Sequence, residues 1–459
     1  MPESVFEREV DIEAPVTELR DWHFRPGAFS RLTPPWEPAE LLKGFDELKD
    51  GARATIELKT GPFRPHWIAE HEVTANGFVD RQIKGPFASW EHEHRFEAID
   101  ERRCRLTDSI HYRLPFGLPG EWAGGAIVRR KLSRMFRYRH EVTRLDLERR
   151  DAAIPLQSHT ILMTGATGMI GKALTGYLET QGHRVIPITR HPKSNREIHW
   201  DPENGKLELP DSLTFDSVIH LAGENVADGR WSEEKRRRIR ESRREGTRLL
   251  AETLIRRERK PDVVISASGS GFYELGTGPH DEESPCGSHF LARVCEEWER
   301  AASPLEKAGI RTVRARIGVV LSPCGGALRR LLPIFQNGLG GAVGNGQQRL
   351  SWIALDDLID CLHRFVVDPS WSGPVNLVSP DPITNRKFSR TLARVLGRPS
   401  FFPTPAFAIE AAFGEMARET ILADVAVIPG QLLAREYPFR YPDLQSALSH
   451  SIGRTISGT

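Results

Sequence analysis

The stretch TILMTGATGMIGKALTGYLETQGHRVIPITR, residues 160–190, leaves few folds open. Its apolar run Ile161–Met163 is too short for a helix and fits a buried parallel strand. Gly165, Gly168 and Gly171 follow at once. A helical pattern begins near Met169, with Leu174 and Leu178 on its apolar side, and VIPITR reads as a second strand. Each glycine has a physical reason in such a unit. Gly165 lets the chain turn off the strand, Gly168 lets the backbone approach a pyrophosphate, and Gly171 lets the helix pack close to the sheet. Thr167, Met169 and Ile170 complete the loop, and the pyrophosphate would sit on the helix N-terminus, where free N–H groups favour an anion. Strand, turn, helix and strand in this order are the context that makes a glycine triplet a dinucleotide site.

The end of the second strand bears on which dinucleotide. An acid that accepts a bond from the ribose 2′-hydroxyl usually stands about 20 residues after the glycines. Thr189 and Arg190 stand there instead. A guanidinium cannot accept that bond, but it can pair with a 2′-phosphate. The expected cofactor is therefore NADP(H). Further on, DSVIHLAGENV is another apolar strand, and it places Leu221, Ala222 and Gly223 at its C-terminal end, where such sheets bind ligands. Ser232 followed by Glu233 and Glu234 starts a helix well. That helix is dense in arginine, which reads as a solvated face. The chain as a whole carries 63 basic and 62 acidic residues, so no nucleic-acid partner is expected. DVVISASGSGFYE and TVRARIGVVLS read as further strands, and Ser268 falls near the C-terminal end of the first. In GPVNLVSPDPITNRKFSRTLARVLGRP, Thr384 caps a helix whose Phe388, Leu392 and Leu396 face inward.

The first 150 residues have a different texture. VFEREVDI, ATIELKT, WEHEHRFEAI and CRLTDSIHYRL alternate as half-buried strands do. Trp90, His92, His94, Phe96 and Ala98 share one side, as do Cys104, Leu106, Asp108, Ile110, Tyr112 and Leu114. From Glu121 to about Leu147 the period becomes helical, with Trp122, Ala126, Leu132, Phe136, Val142 and Leu145 on one stripe. Short strands closed by one long helix suggest an antiparallel sheet wrapped around it. His92 and His94, with Asp108, would face the interior, either as a metal or ligand anchor or as residues bonded to their neighbours. No third ligand stands at a ligand-like spacing, so no metal site is assigned.

VFEREVDIEAPVTEL, HFRPGAFSRLTPPWE, GPFASWEHEHRFE and the closing helix resemble the START-like, polyketide-cyclase/SRPBCC group. That resemblance implies a helix-grip fold with an apolar ligand cavity. TGATGMIG, LAGENV, ESRREGT, GGALRRLLPIFQNGLGG, GNGQQRLSWIALDDL and AVIPGQLLAREYPFRYPDLQSAL together resemble the atypical extended short-chain dehydrogenase/reductases called epimerase family proteins. That resemblance implies a Rossmann-type NADP-binding domain with a small C-terminal domain. It also implies cofactor contacts at Thr189, Arg190, Leu221, Ala222 and Arg243. The expected fold is an α+β helix-grip domain at 1–148, a linker at 149–159, a doubly wound parallel α/β domain at 160–372 and a small α/β domain at 373–459. The polar, proline-containing ERRDAAIPLQSHT marks the boundary.

The resemblance also exposes a gap. Enzymes of this class use a Tyr-x-x-x-Lys pair to move a proton beside the nicotinamide, and a serine to polarise the substrate oxygen. Ser268 matches the serine by its place on the strand. The pair falls in SHFLARVCEEWE, residues 288–299, which has neither tyrosine nor lysine. Positioned acid–base groups contribute about 10²–10⁴-fold. Three readings stay open: Tyr273, or more weakly His289, supplies the proton; water or the substrate supplies it; or the domain binds NADP(H) without turnover, as a sensor coupled to ligand binding at the N-terminal domain. The first two make the protein an oxidoreductase or epimerase-like enzyme acting on a small molecule. Five scattered cysteines, a charged N-terminus and no apolar run of about 18 residues suggest a cytoplasmic protein without disulfides or a membrane span.

Overall fold

The computed structural model describes residues 3–37, 39–44, 48–58, 64–115, 117–149 and 157–454. Two compact units divide the chain, residues 1–155 with 176–182, and residues 156–175 with 183–459. Most of the expected linker, 150–156, lies outside the described residues.

The first unit holds β1 (Ser4–Ile12), β2 (Ala39–Lys43), β3 (Arg53–Leu58), β4 (His66–Thr74), β5 (Gly77–Lys84), β6 (Ser89–Ala98) and β7 (Cys104–Arg113). They form one antiparallel sheet in the order β1-β7-β6-β5-β4-β3-β2. Three helices accompany it: α1 (Val16–Phe24), α2 (Ala28–Leu32) and α3 (Gly117–Glu148). α1 packs on β6 and β7, and α3 on β1. The inward rows read in β6 and β7 are buried except for Ala98, exposed at the strand's end, but β7 does not alternate throughout, since Thr107 and Ser109 on its other side are buried too. On α3, Leu132, Phe136 and Val142 are buried, but Trp122 is 93% exposed and Ala126 is exposed too. The expected stripe starts too early there. Among the described residues of the helix, packing against this unit's apolar cluster starts at Val128.

Two apolar clusters fill the interior. One gathers Trp90, Ile110, Tyr112 and Phe136, the other Ile12, Trp22, Phe78 and Phe96. His92, His94 and Asp108 lie on the same inward rows, and all are buried. Buried polar side chains thus share this interior with the apolar clusters.

The second unit contains β8 (Thr160–Thr164), β9 (Arg184–Thr189), β10 (Ile198–Asp201), β11 (Lys206–Leu207), β12 (Ser217–His220), β13 (Val263–Gly269), β14 (Arg311–Ile317), β15 (Val319–Leu321), β16 (Arg349–Leu350), β17 (Trp352–Ala354), β18 (Gly373–Leu377) and β19 (Ile383–Thr384). The main sheet runs β11-β10-β9-β8-β12-β13-β14-β18, parallel except for the β10–β11 edge. The helices are α4 (Met169–Thr180), α5 (Glu233–Ile255), α6 (Phe290–Lys307), α7 (Gly326–Gln336), α8 (Leu355–Val367) and α9 (Asn385–Leu396), followed by shorter ones to Ile452. Both faces of the sheet are covered. Leu162 packs with Leu250 and Leu254 of α5 and Leu305 of α6, while its neighbour Met163 meets Thr175 of α4 on the other face. That double cover is why β8 and β12 are apolar without alternation. Caps fall where the sequence puts them: Ser232 accepts from Lys235 N, and Thr384 from Lys387 N.

The boundary expected at 373 falls inside this sheet, because β18 is its eighth strand, paired with β14. The C-terminal segment is also tied to α8 by buried polar groups. Asp357 accepts from Arg440 N at 2.6 Å and Tyr441 N at 3.1 Å. Asp360 accepts from the Tyr437 hydroxyl at 2.7 Å and from Arg440 Nη2 at 3.1 Å. Among the described residues no helix is long and apolar enough to cross a membrane.

Candidate functional site

The sheet reverses its winding between β8 and β12, and the glycine turn sits at that point. Gly165 has φ +73°, and a Cβ there would lie 2.9 Å from Leu221 C and 3.0 Å from Ala222 N. Both the left-handed backbone and the close approach of the next strand's end exclude a side chain. A Cβ on Gly171 would lie 2.2 Å from Gly165 O. Its close packing is therefore against the turn itself rather than against the sheet. A Cβ on Gly168 would meet one atom, Gly165 O at 3.2 Å, and Thr167 and Gly168 are exposed. Met169 and Ile170 open α4 half-buried, with Met169 against Gly325, just before α7. The loop is bare of side-chain bulk on its open side, as an approaching pyrophosphate requires.

The ledge facing this turn is held by groups that sequence reading missed. Thr164 Oγ1 accepts from Leu221 N and Ala222 N, both at 3.2 Å, and lies 2.7 Å from His220 Nδ1. The hydroxyl's own proton is thus left for His220 Nδ1. His220 Nε2–H then donates to Thr247 Oγ1 at 3.0 Å. This tautomer is neutral, and burial, helped by Arg243, pushes the His220 pKa down to about 4. Between about 4 and the unfolded value of 6.5 the unfolded chain binds the extra proton. Stability from His220 is therefore full above pH 6.5 and is lost as pH falls towards 4. The urea midpoint should drop over that window, and by less in His220→Gln; an identical slope in the variant would refute the assignment.

Arg243 closes the ledge's far end. Its guanidinium lies 3.2 Å from where a Gly223 Cβ would be, and it stacks on Trp298 at 4.9 Å. Leu221, Ala222, Gly223 and Arg243 are thus brought together beside the glycine turn. Thr189 and Arg190 end β9 at the next strand over, with Arg190 exposed. Thr189 Oγ1 accepts from His191 N at 3.3 Å. Arg190 makes no hydrogen bond or ion pair among the described residues, and its charge is one of those lowering Glu224, after Lys235, which pairs with that carboxylate at 2.6 Å.

The expected proton-transfer residues are placed differently. Ser268 is buried and its hydroxyl donates to Glu299 Oε1 at 2.8 Å. It cannot donate to a substrate oxygen without giving up that bond. Tyr273, the first reading for the proton donor, is 0% exposed. Its hydroxyl donates to Asn376 Oδ1 at 2.6 Å and accepts from Arg316 Nη1 at 2.9 Å. Burial pushes its pKa up to about 12 despite Arg316. Behind both lies a bidentate pair, Arg316 Nε to Glu299 Oε1 at 2.8 Å and Nη2 to Oε2 at 2.9 Å. Glu299 is the last residue of SHFLARVCEEWE, so this stretch, without tyrosine or lysine, ends on a buried acid. Cys295 is buried, which raises its pKa to about 11 and keeps it a thiol. His289 precedes α6, its ring nitrogens are buried, and that burial lowers its pKa against the pull of Glu419, Glu274 and the Gly271 backbone.

In the first unit, His92 Nε2 is 2.8 Å from Asp108 Oδ1. The structure adds Asp80, His71 and His140 to the three residues read from sequence.

The sheet order, the glycine turn and the ledge at β12 define a Rossmann-type fold of the epimerase and short-chain dehydrogenase class. Residues 161–376 match the NAD dependent epimerase/dehydratase family, 404–451 a domain of unknown function, and 12–137 the polyketide cyclase / dehydrase and lipid transport family. An epimerase family protein of Mycobacterium bovis is 38% identical over 297 residues, covering 64% of this chain and 98% of that protein. The human epimerase family protein SDR39U1 is 36% identical, covering 64% and 99%. The chain belongs to the epimerase family proteins. A crystal structure described as a nucleoside-diphosphate sugar epimerase from Corynebacterium glutamicum is similar over 99% of this chain and 91% of that one, with TM-score 0.80 and 32% identity. The human SDR39U1 structure, solved with NADPH, is similar over 64% of this chain and 99% of that one, with TM-score 0.60 and 35% identity.

Proposed function

We propose that the second unit binds NADP(H) and uses it on a small molecule, as a reductase or epimerase-like enzyme. The observation that carries the cofactor half is the pairing of the glycine turn with an uncommitted Arg190 at the end of β9. Gly165 and Gly171 let the turn close tightly on itself, Gly168 leaves its exposed side without a Cβ, and the start of α4 offers N–H groups to a pyrophosphate. Arg190 offers a charged fork to a 2′-phosphate, and the NADPH in the human relative's structure supports this reading. Bound there, the nicotinamide would supply or accept a hydride. Arg243 and the Leu221–Gly223 backbone would line the ribose side. His289 is the group left to move a proton, since Tyr273 and Ser268 have committed theirs.

Titrating NADPH and NADH into wild type and Arg190→Ala tests the cofactor. The variant should lose about 10–100-fold in NADPH affinity, the worth of a charge-assisted contact, and keep its NADH affinity. Equal wild-type affinity for both cofactors would sink the assignment.

One observation favours a second reading, in which the protein binds NADP(H) without turnover and the first unit, as a helix-grip ligand-binding domain, couples a small molecule to cofactor state. It is the commitment of both hydroxyls to the Arg316–Glu299 pair. NADPH oxidation across a panel of carbonyl compounds separates the two: turnover lost in His289→Gln supports the enzyme, and tight binding with no turnover supports the sensor.

A further inference from the structure

We propose that the first unit carries a binding site for a divalent first-row transition ion, built from Asp80, His92 and His94. The proposal is independent of the cofactor reading. Cross-strand register brings these groups together. Asp80 on β5 lies opposite His71 on β4 and His92 on β6, and His94 on β6 lies opposite Asp108 on β7. Residues directly opposite on one face of a sheet have Cβ atoms about 4.5–5.5 Å apart. The rings of His92 and His94 are 3.9 Å apart. One ligand atom from each of Asp80, His92 and His94 lies within 4.8 Å of the others. The third ligand escaped sequence reading because it sits on the neighbouring strand, 12 residues before His92, where spacing gives no signal.

Asp108 touches all three neighbouring imidazoles. His92 Nε2 lies 2.8 Å from Asp108 Oδ1, His94 Nδ1 is 2.8 Å from the same oxygen, and His140 Nε2 is 2.6 Å from Asp108 Oδ2. A carboxylate on the far nitrogen of each imidazole is how metal-binding histidines are oriented and made more basic. With Nε2 of His92 so held, Nδ1 is the nitrogen left to ligate. For His94 it is Nε2, which lies 3.5 Å from Asp80 Oδ2.

A purely structural cluster would close its hydrogen bonds. This one does not. His140 Nδ1 and Arg139 Nε are buried without hydrogen-bond partners among the described residues. Asp80 and Asp108 bring two negative charges inside, and Arg139 returns one. An ion, or a proton on an imidazole, would meet the deficit. The Asp80 side chain keeps 22% exposure, so an ion can reach it, while those of His92 and His94 keep 5% and 4%. Two imidazoles and a carboxylate suit Zn²⁺, Co²⁺ or Fe²⁺ rather than Mg²⁺ or Ca²⁺. Three protein ligands leave a position open for a small oxygen donor, as in catalytic zinc sites.

The full chain, stripped with EDTA and dialysed, would be titrated with Zn²⁺ by calorimetry and with Co²⁺ by absorbance. One equivalent of each is expected, with Co²⁺ d–d bands stronger than those of the aqueous ion and no sulfur charge-transfer band. Asp80→Asn and His94→Gln should abolish stoichiometric binding, and Asp108→Asn should weaken it about 10–100-fold. His23→Phe, which alters a buried imidazole bonded to Leu19 O, should leave it unchanged. Circular dichroism checks that each variant folds. Substoichiometric Zn²⁺, a thiolate-type Co²⁺ spectrum, or unchanged affinity in folded Asp80→Asn would overturn the site. Should those variants not fold, the wild-type Co²⁺ spectrum and stoichiometry decide alone.

Discussion

Glu299→Ala should cost the second unit about 3–5 kcal/mol, the penalty for breaking a buried ion pair. The side chains of Arg316 and Glu299 are only 6% and 8% exposed. Removing the acid strands the guanidinium, which lies 3.6 Å from the centre of the Phe272 ring. It also leaves the Ser268 hydroxyl without its acceptor. Ser268→Ala removes one hydrogen bond and should cost only about 1 kcal/mol. Glu299→Leu combined with Arg316→Met removes both charges together and should recover most of the loss, because a buried pair contributes little net stability when replaced whole. Urea unfolding of the four proteins reads this out. A Glu299→Ala midpoint equal to wild type would mean that the acid is free to do chemistry, and would return SHFLARVCEEWE to the list of catalytic elements.

Gly171→Ala should abolish NADPH binding in the accessible range, a loss of more than about 100-fold, and destabilise the unit by about 1–3 kcal/mol through overpacking. The added Cβ would lie 2.2 Å from Gly165 O and 2.7 Å from Ala166 Cα, backbone atoms that cannot step aside. The turn must move, and with it the edge a pyrophosphate would touch. Gly168→Ala is the contrast. Its Cβ would have one neighbour at 3.2 Å, so stability should stay within about 0.5 kcal/mol of wild type. Any loss of NADPH affinity there reports on the ligand rather than on the fold. Fluorescence titration beside thermal melting separates the two, and wild-type NADPH affinity in Gly171→Ala would show that the cofactor lies elsewhere.

The parts legible in the sequence were those dictated by local pattern. Ile161–Met163 and the three glycines announced a buried strand and a turn, because only glycine tolerates what Gly165 and Gly171 meet. The alternation in β6 and β7 announced their inward rows, because period two is set by the strand itself. What escaped was set by neighbours distant in the chain. His220 is an apolar-strand histidine until Thr164 and Thr247 are placed on either side of it. Tyr273 reads as a candidate acid until Asn376, 103 residues on, is seen to accept its hydroxyl's hydrogen bond. The boundary at 373 failed for a related reason: a strand followed by a helix looks the same whether it opens a new domain or adds an eighth strand to an old sheet. Trp122 failed the other way, since a helical period shows which residues share a side but not how far a sheet extends to meet them.

The tie between α8 and the segment around Arg440 has a consequence for biosynthesis. Asp357 and Asp360 are translated 83 and 80 residues before Arg440. At roughly 5–20 residues per second, several seconds pass before Arg440 joins them, although Asp360 already has Arg364, four residues on along α8, at 3.2 Å. During that interval its acids must stay in water, so the nascent chain can assemble its strands but cannot seat this helix's polar edge. A ribosome stalled between the two segments would therefore display a half-closed intermediate with charged residues outward, protected from aggregation by the same carboxylates that later lock the structure shut.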